Sequence, residues 1–240
     1  MKNLLSVVIF GSAEKQSATL YDGIELLYAD EGESEKDFLT RAAKTAKGKY
    51  TVICDRAFKF ADVQSLLNII DKNAADMVCF VSDVALKTSV LRTVAKDCED
   101  CFSLTALTVF SCKTIMKTTY CPFSFSKPNG SFKENNTAGI LLAAETFGKV
   151  KAKLPKEIYS YAFNMLCDKL VFYYMYAMLA IRDGALPAEK LIEFDNKLKA
   201  EIVLHLALEK RFTAAKLHKL REKGFKISRF KASKFRKILG

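Results

Sequence analysis

Apolar residues in the first hundred positions fall into short blocks separated by charged segments of helical period. Leu4 to Phe10 is an apolar run broken only by Ser6 and ended by Gly11-Ser12, which predicts a first strand. After a polar connection, Ile24 to Ala29 predicts a second strand ending at Asp30-Glu31-Gly32. Ser34 then suits the N-cap of a helix from Glu35 to about Lys47, with Asp37 in its first turn and Arg41, Lys44 and Lys47 toward its end, as the helix dipole favours. Gly48 is expected to close that helix. From Gly48 to Phe58 the chain reads as a buried strand on Tyr50, Val52 and Ile53 that delivers Asp55 to the rim of a sheet.

The pattern continues with Asp62 capping a helix from Val63 to Lys72, in which Val63, Leu66, Leu67, Ile69 and Ile70 share one face. Asp76 to Ser82 predicts another strand and Val84 to Cys98 a helix. Phe102 to Phe110, rich in Thr, Val and Phe, predicts a fifth strand. Alternating strands and helices imply an α/β sheet. Residues 121 to 136 carry Pro122, Pro128, Asn129 and Gly130 and read as a long loop over one edge. Helical period takes over afterwards: Ala138 to Phe147, a helix after Pro155 through Ile181, one from Pro187 to about Arg211, another to Lys223, and a last from Phe225 to Leu239. The expected organisation is an α/β domain over residues 1–155 and a helical, basic extension over 156–240.

Charge sharpens that division. The net charge is +11, and the segment from Glu209 to Gly240 holds twelve Lys and Arg against two Glu, or +10. In its last helix Phe230 and Phe235 interleave with Lys226, Arg229, Lys234, Arg236 and Lys237, a composition suited to an anionic membrane surface. A solvated basic face and nucleic-acid binding are the other readings. Seven cysteines, odd in number and mostly within apolar segments, suit reduced thiols in the cytoplasm better than a disulfide framework. Cys98, Cys101, Cys112 and Cys121 do not have zinc spacing, because eight residues separate Cys112 from Cys121 where a zinc-binding pair has about two to four. Leu170 to Ile181 is too short to span a bilayer. Phe172, Tyr173, Tyr174, Met175, Tyr176 and Met178 read as a core seam between the α/β domain and the helical extension, and His205, set among aliphatic residues, as a packed or rim histidine.

Three segments in order resemble the family 2 glycosyltransferases. Ser6 to Ile9 is similar to that family's SVVIP strand, Ile24 to Ser34 to its iEiivvDDGStD strand and turn, and Ala46 to Asp55 to its AkGkYi.flDsDD strand. Lys149 to Tyr161 resembles the segment closing the catalytic domain. The resemblance implies a glycosyltransferase A-like fold: a mostly parallel nucleotide-sugar-binding sheet flanked by helices, with a C-terminal helical extension. It implies that Asp30 contacts the nucleotide base and that Asp55 is the first acid of the metal motif. The second acid falls on Ala57, whose methyl offers no oxygen to Mg²⁺ or Mn²⁺, so no cofactor is assigned. Arg56 and Lys59 are the cations at hand to counter a diphosphate. The family's catalytic base falls near Asn136-Thr137, and neither can serve as one. Two functions follow: transfer of a sugar from a nucleotide donor to a cell-surface glycan or lipid-linked acceptor, or a catalytically degenerate relative that binds or assembles at a membrane surface.

Overall fold

A computed structural model describes residues 4–10, 22–54, 58–81, 83–121, 123–125 and 136–231. They form two compact units, Met1–Asn129 with Lys153–Tyr159, and Gly130–Ala152 with Ser160–Gly240. The helix that follows residue 135 thus groups with the helical unit, whereas the sequence expectation carried the α/β part to residue 155.

The first unit is built on a six-stranded sheet of order β2-β1-β3-β6-β5-β7, comprising β1 (Leu5–Ile9), β2 (Ile24–Tyr28), β3 (Tyr50–Cys54), β5 (Met77–Cys79), β6 (Val84–Lys87) and β7 (Ile115–Lys117). β1 pairs in parallel with both β2 and β3, and β7 in parallel with β5, while β6 alone runs against its neighbours. A separate ribbon joins β4 (Phe58–Phe60) to β8 (Phe123–Phe125). The α/β sheet anticipated from the strand and helix alternation is therefore present, and it is mostly parallel, as the resemblance implies.

Pleat and register divide the core. Leu5, Val7 and Ile9 share a face with Tyr50, Val52 and Cys54, and that face is covered by Leu66, Leu67 and Ile70 of α2 (Val63–Asp71). On the other face Thr51 meets Thr88 at the start of α3 (Thr88–Val94), their hydroxyls 2.9 Å apart, beside α1 (Glu35–Thr45) and α4 (Cys101–Ser111). Both anticipated N-caps form: the Ser34 hydroxyl accepts from the Asp37 amide and the Asp62 carboxylate from the Ser65 amide.

In the first unit two elements differ in type from expectation. Val84 to Lys87 is a strand, and the helix begins only at Thr88. Phe102 to Phe110 is helical despite its β-branched content. Asp100 and Ser103 close a reciprocal capping box ahead of it, and eight of the eleven residues of α4 are buried, so local capping and all-round burial override strand propensity. Gly48 does not end α1 either. Ala46 is the C-cap, and Gly48 sits instead where β1 passes, its amide donating to Ser6 Oγ at 2.8 Å. A Cβ there would lie 2.4 Å from the Ser6 backbone nitrogen.

The helical unit contains α5 (Asn136–Val150), α7 (Ala188–Leu198), α8 (Ile202–Arg211), α9 (Ala214–Glu222) and most of α6 (Lys156–Arg182). The stretch from Pro187 to Arg211 is thus two helices divided at Lys199–Glu201, not one. Tyr173, Tyr174, Met175 and Met178 are buried, whereas Phe172 is exposed. Tyr173 and Tyr174 pack on Phe194, with ring centroids 4.2 and 5.7 Å away. Beyond α9 the described residues Phe225 to Lys231 are not helical, contrary to the expected last helix.

Six of the seven cysteines are buried and Cys121 is exposed. Burial pushes the thiols of Cys98 and Cys167 up to about 11 and that of Cys112 to about 12, and the Cys98 and Cys112 sulfurs donate to the carbonyls of Ala95 and Thr108. These are protonated packing groups. Titration of the native protein with an aromatic disulfide is expected to label one thiol rapidly, at Cys121, and the remainder only in denaturant. Fast release of a second equivalent from the native protein would contradict that assignment.

Candidate functional site

The carboxyl ends of β2, β1 and β3 lie side by side, because the register sets Tyr28 and Cys54 on either flank of Ile9. Ligands of open α/β sheets collect at such an edge. Phe10, just past β1, donates its amide to the Cys54 carbonyl and stacks on Phe38 of α1 at 5.9 Å, so the edge is apolar beneath.

Above β2 the chain turns sharply through Asp30 to Glu33, with Gly32 at φ +77°, a conformation that favours glycine. Arg41, one helix away, gathers this turn. Its guanidinium donates from Nε to Glu33 Oε1 at 2.8 Å, from Nη2 to Glu33 Oε2 at 2.6 Å and to the Tyr28 carbonyl at 3.0 Å. The same Nη2 stands 3.2 Å from Asp30 Oδ2, and the Asp30 amide donates to Glu33 Oε2. Hydrogen bonds from Arg41 and from the Asp30 amide hold the Glu33 carboxyl down to about 2, so the clamp stays ionised until the pH falls to that value. Asp30 is left 77% exposed: fixed in place by the clamp, yet open to a ligand. Arg41 and Glu33 were not singled out by sequence reasoning as site residues. Their eight-residue separation gave no motif, and only α1 folding back along β2 joins them.

Of the other anticipated residues, Asp55 and Arg56 lie outside the described residues, as does Ala57. Lys59 is in β4, in register with Ser124 of β8. Thr137 is at the start of α5, its hydroxyl 3.2 Å from that of Tyr173. In the metal motif that the resemblance implies, the second acid is replaced by Ala57, whose methyl supplies no oxygen ligand.

The basic segment requires one correction. Lys226 and Arg229 are exposed, but Phe230 is 1% exposed, stacked on Phe212 at 4.1 Å and edge-on to Tyr174 at 5.8 Å. It belongs to the helical core and is unavailable to a membrane; the apolar stripe needed a helix that does not form over Phe225 to Lys231. Lys234, Phe235, Arg236 and Lys237 lie outside the described residues. No helix among the described residues is long and apolar enough to cross a membrane.

The second unit carries a buried polar knot. Asp195 of α7, 1% exposed, accepts at Oδ1 from the Tyr174 hydroxyl at 2.7 Å and faces His205 Nε2 at 3.0 Å, while Lys199 Nζ stands 2.8 Å from its Oδ2. Burial alone would raise its pKa, but the hydrogen bonds from His205, Lys199 and Tyr174 outweigh that and hold the carboxyl below the usual range. An ionised Asp195 requires the proton of His205 on Nε2.

No protein-family model and no curated protein sequence matches the chain. Among solved structures it is similar to the crystal structure of S. aureus TarS residues 1–349, a glycosyltransferase of the A-type fold, with 9% identity and a TM-score of 0.54 over 92% of this chain and 87% of that one. At that identity the likeness establishes a glycosyltransferase-like fold.

Proposed function

We propose that this protein binds a nucleotide sugar at the carboxyl edge of β2, β1 and β3 and transfers the sugar to a cell-surface glycan or lipid-linked acceptor. The observation that carries the reading is Asp30, an exposed carboxylate held by the Arg41–Glu33 clamp at the end of a strand in a glycosyltransferase-like fold. In this reading Asp30 accepts hydrogen bonds from the nucleotide base, and Asp55 orders the ribose or diphosphate. Arg56 and Lys59 neutralise charge on the departing diphosphate in place of a cation, since fixed guanidinium and ammonium groups form strong charge-assisted hydrogen bonds to phosphate.

A thermal-shift screen of nucleoside diphosphates without added metal tests it. Uridine diphosphate or a related nucleotide is expected to raise the melting temperature, because at a hundredfold excess over Kd a ligand stabilises by about 2.7 kcal/mol. Asp30→Ala is expected to abolish the shift without lowering the stability of the free protein. A flat screen would refute the proposal. A degenerate, binding-only protein is the second reading, favoured by Ala57 and by Asn136-Thr137 at the position of the base; it requires the same shift with no sugar released from any nucleotide donor.

A further inference from the structure

Helix α8 is apolar on two opposite sides. Leu204, His205 and Leu208 face inward and are buried. At 100° per residue Ile202, Val203, Leu206 and Lys210 project from the other side. Ile202 is 65% exposed, Leu206 57% and Val203 41%, three of the five large apolar residues that stand out from the described surface. The rotation is fixed, because His205 reaches the buried Asp195, which also binds Tyr174. Turning α8 to hide its aliphatic stripe would break that knot.

Exposed lysines stand at both ends of the stripe, with Glu201 and Glu209 beside it only partly exposed. Lys210 is exposed at its carboxyl end, and Lys199, 42% exposed beside Asp195, precedes its amino end. Lys219, Arg221, Lys223, Lys226 and Arg229 are exposed further along the same basic segment. Laid on a copy of itself, the stripe offers three aliphatic side chains, which fall far short of a stable dimer interface. An anionic lipid surface satisfies both features, since aliphatic residues enter the headgroup boundary while lysines lie along it.

We infer that the exposed face of α8, through Ile202, Val203 and Leu206 with Lys210, docks this protein on an anionic membrane surface. The contact is independent of nucleotide binding and differs from the phenylalanine-based contact that the sequence suggested. Flotation with vesicles of 30% phosphatidylglycerol in phosphatidylcholine, compared with pure phosphatidylcholine, tests it. The wild type is expected to float with the anionic vesicles only. The double substitution Ile202→Ser with Leu206→Ser is expected to weaken binding at least tenfold with an unchanged circular-dichroism melt, and Lys210→Glu to weaken it severalfold. Equal flotation of the wild type and the double variant would overturn the inference. So would absence of wild-type binding, or a dimer in sedimentation velocity that the double variant dissociates.

Discussion

Gly48→Ala is expected to destabilise the first unit by roughly 3 kcal/mol or more, at or beyond the upper end of what an added methyl group costs in a packed core. The added Cβ would stand 2.4 Å from the Ser6 nitrogen, 2.6 Å from the Leu5 carbonyl carbon and 2.8 Å from Ser6 Oγ. Two of those atoms are backbone of β1, which is pinned between β2 and β3. The glycine is pinned too: its amide donates to Ser6 Oγ and its carbonyl accepts from Thr88 Oγ1 at 2.6 Å. Relief would require parting β1 from β3, which would also detach Glu25, hydrogen-bonded to both Ser6 Oγ and the Lys47 amide. Urea unfolding followed by circular dichroism checks this; a loss under 1 kcal/mol would show that β1 can yield.

Asp195→Ala is the second large effect. It removes the buried acceptor that Tyr174 and His205 share and the carboxylate beside Lys199, so a loss of about 3 kcal/mol is expected, in the range for breaking a buried polar pair. Asp195→Asn, which keeps an oxygen for Tyr174 and His205 while forfeiting the charge, should lose less. The ionised knot also sets a pH dependence. Because the folded carboxyl titrates below its unfolded value, its stabilisation is complete above the usual aspartate range and fades as the pH falls through the lowered folded value. Wild-type unfolding free energy should therefore decline more steeply below pH 4 than that of Asp195→Asn. Identical acid limbs would contradict an ionised Asp195.

Signals that act within a few residues were legible in the sequence. Ser34 and Asp62 mark their helices because a capping side chain works over three positions, and β1 to β3 declare themselves as apolar blocks. Misreadings arose where a local preference met a competing one. In α4 the Thr, Val and Phe content spoke for a strand, while Asp100 and Ser103, which decide the matter, look like ordinary polar residues until their hydrogen bonds are seen. Phe230 appeared as one of an exposed stripe, but the chain stops being helical and the ring turns onto Phe212. In α8 aliphatic residues on both sides erase the period that would separate buried from exposed, and only the Asp195 knot reveals which side is out. At the candidate site Asp30 was visible as an acid after a strand, whereas Arg41 and Glu33 required the fold that brings α1 alongside β2.

The central claim is a nucleotide-sugar site at the carboxyl edge of the sheet that works without a divalent cation. Isothermal titration of uridine diphosphate into the protein in excess EDTA tests it most directly, with Asp30→Ala as the comparison. The account predicts saturable binding to the wild type, unchanged when EDTA is replaced by Mg²⁺ or Mn²⁺, and at least tenfold weaker binding to Asp30→Ala. Binding that appears only with added metal, or that is equal in the two proteins, would contradict it.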